Sequence, residues 1–139
     1  MNIKLLENGI MPTRAHFDDA GIDLYTPSEF TLLPGMSQVV NTKVAVQIPI
    51  GYFGKIESKS GLNVRHNIQS AGGVIDSGYR GSIQVRITNN GQVPYTFERG
   101  DKLCQMVLIP VGLFDLTQVD ELDVSESGRD NKGFGSTGR

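Results

Sequence analysis

Hydrophobic and polar residues alternate with a period of two along much of the chain, a pattern typical of β-strands that bury one face. The clearest stretches are FTLL at 30–33, QVVNTKVAVQI at 38–48, YFGKIES at 52–58, SIQVRITN at 82–89 and KLCQMVLIP at 102–110. Turn-forming pairs such as Pro34-Gly35 and Asn90-Gly91 separate these stretches. The pattern predicts an all-β domain, either a β-barrel or a jelly-roll-like sandwich.

Two segments depart from this strand pattern. SGLNV at 60–64 favours a helix of one or two turns, which is too short to form a layer of its own. The last residues, RDNKGFGSTGR at 129–139, are rich in glycine and contain a single large hydrophobic residue, Phe134. Such a segment cannot bury enough apolar surface to hold itself in place. We therefore expect a β-barrel domain over residues 1–124 and a flexible C-terminal arm over 125–139.

Length and charge limit the classes of function. A chain of 139 residues with 38% hydrophobic and 20% charged residues fits one domain with a real core. A formal net charge of −2 argues against a general nucleic-acid or membrane surface, since both use a basic excess. Any anionic ligand must therefore be bound by a local group of residues.

The single cysteine and the apolar content bear on location. Cys104 lies in a strand-like run and cannot form an internal disulfide, so we interpret it as a buried structural thiol. No stretch reaches the ~18 apolar residues of a membrane span, and the N-terminus has no signal-peptide core. We expect a cytoplasmic protein, or a nuclear one in a eukaryote.

Four short segments carry candidate chemistry, and each has a structural alternative. Asp23 in AGIDLYTP reads as a turn organiser or as a functional acid. ESKSGL at 57–62 is a phosphate-binding loop or an ordinary one. In AGGVIDSGYRGSIQV, Asp76 and Tyr79 either share a small-molecule pocket or stabilise a tight hairpin. Gln105 in RGDKLCQM is a solvent-facing residue or one held for a ligand.

Taken in order, these segments and the C-terminal RDNKGFGSTG resemble the five motifs of the deoxyuridine triphosphatases (dUTPases), a family of trimeric all-β enzymes. The resemblance extends from Ala20 to Gly138. It implies hydrolysis of dUTP to dUMP and pyrophosphate, which limits uracil incorporation into DNA and supplies dUMP for dTTP synthesis. It also implies a homotrimer with shared active sites, and no direct binding of nucleic acid or membrane.

The resemblance implies a role for each matched residue in catalysis and metal binding. Asp76 would deprotonate the water that attacks the α-phosphorus, as suits an ionised aspartate. Mg²⁺ would be the cofactor, held mainly by the three phosphates. Asp23 would lie near the water shell of this metal and contact it only indirectly.

Further roles follow for the nucleotide. Tyr79 would lie against the deoxyribose and leave no room for a 2′-hydroxyl. The backbone at Gly73 and Val74 would pair with the uracil edge, and the tight hairpin would exclude the 5-methyl group of thymine. Ser60, the Gly61 amide and Gln105 would hold the phosphates. Lys59 stands where the family usually has arginine; it keeps the charge and lacks the bidentate fork.

The resemblance also implies that the C-terminal arm closes over bound nucleotide in a site formed largely by other subunits. Phe134 would stack on uracil, and Arg129 would meet the γ-phosphate. The triphosphate would be wrapped by the remaining arm residues, Gly135, Ser136 and Thr137.

Two rival functions can be weighed on single residues. The related dCTP deaminases place a catalytic glutamate on the strand after the hairpin, where this chain has Arg86. Because a guanidinium cannot shuttle protons as a glutamate does, deamination is disfavoured. A non-enzymatic trimer that binds dUTP and signals is the second alternative, and Asp76, Gln105, Arg129 and Phe134 argue against loss of catalysis.

Overall fold

The structure is a computed structural model that describes residues 1–124 and 126. This part of the chain forms eleven strands and one short helix. Their bounds are β1 Asn2–Leu5, β2 Gly21–Tyr25, β3 Phe30–Leu32, β4 Ser37–Asn41, β5 Val44–Gln47, β6 Tyr52–Glu57, α1 Ser60–His66, β7 Ile68–Ala71, β8 Val74–Ile75, β9 Gln84–Asn89, β10 Tyr95–Phe97 and β11 Lys102–Pro110. The predicted all-β class and the short helix at residue 60 are confirmed.

All strand pairs are antiparallel, and most join segments that are distant in the sequence. The largest sheet has the order β2-β11-β6-β8, and a second sheet has the order β4-β9-β7. Two further pairs are β1-β5 and β10-β3. β11 lies between β2 and β6, so it brings residues from the start, middle and end of the described chain side by side.

The core forms between the inner faces of these sheets, as the period-two pattern requires. In β9, Val85 and Ile87 are fully buried, whereas Arg86 between them is exposed. Phe97 stacks on Phe30 with ring centroids 4.8 Å apart. Cys104 is also fully buried, and burial raises the pKa of its thiol to about 12, which confirms its structural reading.

The run at 38–48 is not one strand. It breaks at Lys43, which has a left-handed backbone with φ of 61°. The Asn41 side-chain oxygen accepts a 2.9 Å hydrogen bond from the Lys43 N–H and stabilises the turn. The chain therefore leaves β4 in one sheet and enters β5 in another, a change that the hydrophobic pattern alone did not reveal.

The last strand ends at Pro110, and residues 111–124 lie outside any helix or strand. Large apolar side chains in this segment are exposed, with 99% of Leu116 and 84% of Phe114 accessible. The proposed division between body and arm at residue 124 therefore falls well after the last strand. None of the described helices has the length and apolar character needed to cross a membrane.

Candidate active site

The hairpin that follows β8 forms the first part of the candidate site. Gly73, with φ of 65°, turns the chain into β8, and Ile56 N–H donates a 3.2 Å hydrogen bond to its carbonyl. After β8, the Tyr79 N–H donates a 3.0 Å hydrogen bond to the Asp76 carbonyl. This turn presents the Asp76 side chain to solvent immediately after the buried Ile75.

The turn is further fixed by side-chain bonds to its own backbone. The Tyr79 hydroxyl donates to the Ser82 carbonyl at 3.1 Å, and the Arg80 guanidinium donates to the Ser77 carbonyl at 2.7 Å. The result is a cavity of about 230 Å³ with an acid and an aromatic ring in its wall. Its lining comprises Gly72, Val74, Ile75, Asp76, Tyr79 and Gln84.

The loop before α1 forms the second part of the site. Lys59 has extended backbone, with φ of −75° and ψ of 128°, and Ser60 begins the helix. Space around Gly61 is open, because a Cβ built there would have no heavy atom within 4 Å. Gly61 also lines a cavity beside α1, so a ligand could approach the start of this helix closely.

Gln105 ties this loop to the central strand. Its side-chain amide donates a 3.2 Å hydrogen bond to the Ser58 carbonyl, while its backbone lies between Asp23 and Glu57 of the neighbouring strands. Gly21 makes room for it, because a Cβ there would approach the Gln105 Cδ to 2.9 Å. Gln105 is thus held by packing and is not a free solvent-facing residue.

Asp23 is almost completely buried, at 3% exposure, and both of its carboxylate oxygens are engaged. Lys59 Nζ lies 2.6 Å from one oxygen, and Lys102 Nζ lies 2.7 Å from the other. Burial raises the pKa of Asp23, but the hydrogen bonds from Lys102 and Lys59 outweigh it and hold the pKa below its usual value. The carboxylate is therefore ionised and paired at neutral pH.

This arrangement bears on the predicted metal. Residues 1–124 and 126 contain no group of three or more His, Cys, Asp or Glu side chains placed to hold a metal ion. Asp23 is the acid predicted to contact the metal through water, but two ammonium groups already occupy its oxygens and would repel a nearby dication. Within the described residues, Asp23 is therefore engaged by two lysines and belongs to no cluster of metal-binding side chains.

The two parts of the site line different cavities of the chain. Asp76 and Tyr79 line the hairpin cavity, whereas a second cavity of about 310 Å³ lies beside α1. The second cavity is lined by Lys59, Gly61, Leu62, Arg65, His66, Tyr95, Asp101 and Lys102. Of the predicted residues, Lys59 and Gly61 line the second cavity, and Val74, Asp76 and Tyr79 line the first. Asp23 is joined to the α1 loop by its ion pair with Lys59, and Gln105 by its hydrogen bond to Ser58.

Two further groups of site residues are those outside the described part of the chain and those that the sequence did not predict. The candidate arm residues lie outside the described residues: Arg129, Phe134, Gly135, Ser136 and Thr137. Lys102 and Gly21 were missed. Lys102 stands in the quoted motif RGDKLCQM, but its contact with Asp23 depends on the pairing of β2 with β11, which one sequence does not show.

Comparison with known proteins gives one consistent family. A family model described as dUTPase matches residues 7–138. Several similar proteins are named deoxyuridine 5'-triphosphate nucleotidohydrolase. The one from Debaryomyces hansenii is 40% identical over 96% of this chain and 83% of its own length. The one from Mus musculus is 35% identical over 99% of this chain and 83% of its own length. One from Anaeromyxobacter is 46% identical over 86% and 82%.

Solved structures agree with the sequence comparison. The Staphylococcus bacteriophage 80alpha dUTPase with dUpNHpp superposes with a TM-score of 0.89 at 32% identity, covering 99% of this chain and 98% of that one. The dUTPase of phage phi11 of S. aureus, described with a structural Mg(II) ion, gives 0.80 at 32% identity, covering 86% and 96%. These similarities support the jelly-roll-like form of the predicted β fold.

Proposed function

Because this chain belongs to the dUTPase family and is a dUTP diphosphatase, we propose that Asp76 activates the water that cleaves dUTP between its α- and β-phosphorus atoms. The observation that carries this proposal is the position of Asp76. Asp76 is exposed and lines a cavity whose wall also includes Gly72, Val74 and Tyr79. An acid at such a cavity is placed to accept a proton from water beside bound nucleotide.

Specificity is proposed to come from the hairpin. The backbone at Gly73 and Val74 pairs with the uracil edge, and this wall cannot adopt another rotamer to admit a 5-methyl group. Tyr79 lies against the deoxyribose, where its ring, fixed by the bond to Ser82, excludes a 2′-hydroxyl. These contacts favour dUTP over dTTP and UTP.

The α1 loop is proposed to hold the phosphates through Ser60, the Gly61 amide, Lys59 and Gln105. When bound, Mg²⁺ would neutralise part of the charge of the triphosphate. The protein positions the phosphates and adds the positive charge of Lys59. Positioning and charge neutralisation are the main contributions of a protein to phosphoryl transfer. For Asp23 to contact the metal through a water molecule, one lone pair of its carboxylate oxygens would have to be free of the two lysines.

Three further points belong to this proposal. The chain forms a homotrimer in which the hairpin and the α1 loop of different subunits face each other, which is consistent with their separate cavities. The arm at 125–139 closes each site through Arg129, Phe134, Gly135, Ser136 and Thr137. In the cell, the reaction limits uracil in DNA and supplies dUMP, and the expected location is the cytoplasm or a eukaryotic nucleus.

Replacing the base tests the mechanism. Asp76→Asn is expected to keep the fold and the affinity for dUpNHpp but to lower kcat by about 10²–10⁴-fold, the usual contribution of a general base. Pyrophosphate release from dUTP measures the loss, with Asp120→Asn, an exposed aspartate beyond the last strand, as the matched control. Normal turnover by Asp76→Asn would move the base to another residue, with Asp23 the next candidate.

A substrate panel tests the specificity in the same assay. dTTP, dCTP and UTP should be hydrolysed far more slowly than dUTP at matched Mg²⁺. A kcat/KM for dCTP comparable with that for dUTP, or ammonia release from dCTP, would overturn the assignment of the uracil contacts to Gly73 and Val74.

A further inference from the structure

Two lysines from different parts of the chain bind the buried carboxylate of Asp23. Lys59 reaches it from the residue before α1, and Lys102 reaches it from the first position of β11. The register of β11 against β2 shifts between Lys102 and Cys104, a bulge of the kind that redirects a side chain. Lys102 is the more accessible lysine, with 45% of its side chain exposed against 26% for Lys59.

One ammonium group would suffice to neutralise this carboxylate. The second adds a positive charge close to the first, and like charges at this distance repel in a partly buried site. Asp23 and its two lysines together carry a net charge of +1, and both lysines line the cavity beside α1 with Gly61, Arg65 and Asp101. Neutralising the Asp23 carboxylate does not require the second ammonium group, whereas an incoming anion would be attracted by its charge.

The burial of Asp23 sets the free-energy cost of moving one lysine away from its carboxylate. With one lysine as sole partner, moving it to a phosphate would leave a carboxylate with 3% exposure uncompensated, which is strongly unfavourable. With two lysines, one can leave while the other keeps the carboxylate paired. The second lysine thus removes the main cost of moving the first.

We propose that Lys102 is a positioning residue that acts through Asp23: it holds the carboxylate when Lys59 turns toward the triphosphate. Lys102 need not touch the substrate in this role. The inference rests on the proposed function, because it takes Lys59 to be a phosphate ligand.

A double-mutant cycle on Asp23 and Lys102 tests the inference, with the affinity for dUpNHpp as the main readout. Lys102→Met should weaken binding of this analogue on the order of tenfold, since Lys59 is then retained by Asp23. In the Asp23→Asn background the same Lys102→Met change should cost less than about twofold, because no buried carboxylate needs a partner. Lys102→Arg should restore most of the affinity, and Lys4→Met, an exposed lysine on β1, is the control for lost charge.

Steady-state kinetics and a shorter ligand separate this role from a structural one. Lys102→Met should raise KM for dUTP more than it lowers kcat, and should weaken dUMP much less than dUpNHpp. An equal cost of Lys102→Met in both backgrounds would overturn the inference in favour of direct phosphate contact. An equal loss for dUMP and dUpNHpp would overturn it in favour of a structural role. Failure of the wild-type protein to bind dUpNHpp would instead count against the proposed function.

Discussion

Tyr79 depends on a glycine two residues after it. A Cβ built on Gly81 would lie 2.6 Å from the Tyr79 Cζ and 3.0 Å from its Cε2, so the ring fits only because this position lacks a side chain. The same ring is held by the hydrogen bond from its hydroxyl to Ser82. The aromatic wall proposed to face the deoxyribose is therefore set by local packing within the hairpin.

Gly81→Ala is expected to displace the Tyr79 ring and to weaken discrimination against UTP. We expect the ratio of kcat/KM for dUTP to that for UTP to fall by about tenfold, the scale on which apolar pockets distinguish small groups. Gly78→Ala is the matched control, because a Cβ at Gly78 meets no heavy atom within 4 Å. An unchanged dUTP-to-UTP ratio in Gly81→Ala would remove Tyr79 from the sugar contact.

At the scale of elements, β11 holds the phosphate side of the site together. It pairs with β2 and β6, binds the α1 loop through Gln105, and neutralises Asp23 through Lys102. These contacts come from three separate parts of the sequence. Asp23 is their common point, so its ionisation should be linked to stability.

Acid should weaken this connection in a defined direction. Because the folded pKa of Asp23 is lowered below 3.8, its contribution to stability is complete above that pH and is lost as pH falls through the folded pKa. Asp23→Asn should lower the free energy of unfolding by about 2 kcal/mol at neutral pH, with the half-exposed Lys102 limiting the effect. Urea unfolding should show this difference shrinking at acid pH, and a difference independent of pH would contradict the pairing.

The strand predicted at 82–89 was found because it buries one face and keeps its period of two. The strand at 102–110 was found because its apolar run is long, although its burial does not alternate. β8, with only Val74 and Ile75, is too short to give a periodic signal. The break at Lys43 depends on one left-handed residue inside a continuous alternating pattern. For the candidate site, motif order predicted Asp76, Gln105 and Lys59, whereas the second lysine on Asp23 required the pairing of distant strands.

At the scale of the whole molecule, the described residues place Asp76 and the α1 loop at separate cavities. Exposed apolar side chains on the segment after β11, such as Phe114 and Leu116, also indicate surface that a single chain leaves uncovered. Both observations support an assembly in which neighbouring copies complete each site.

Truncation after Ser127 tests the part proposed for the arm. The removed residues, 128–139, are rich in glycine and contain one large apolar side chain, so thermal stability should remain nearly unchanged. The value of kcat/KM for dUTP should fall about 10²-fold or more, because Arg129 and the contacts that exclude water are lost. Unfolding or dissociation of the truncated protein would make the segment a structural strap, and normal hydrolysis would contradict its role as a lid.

The most direct test of a shared catalytic site is the activity of mixed assemblies of two inactive variants. Asp76→Asn keeps the arm and lacks the base, and the truncation after Ser127 keeps the base and lacks the arm. If the base and arm of each site come from different subunits, random trimers made from equal amounts of the two should have both intact at about a quarter of their sites. Pyrophosphate release from dUTP should then rise well above that of either variant after co-refolding. If the mixed protein is a trimer but stays as inactive as its parents, the base and arm do not come from different subunits.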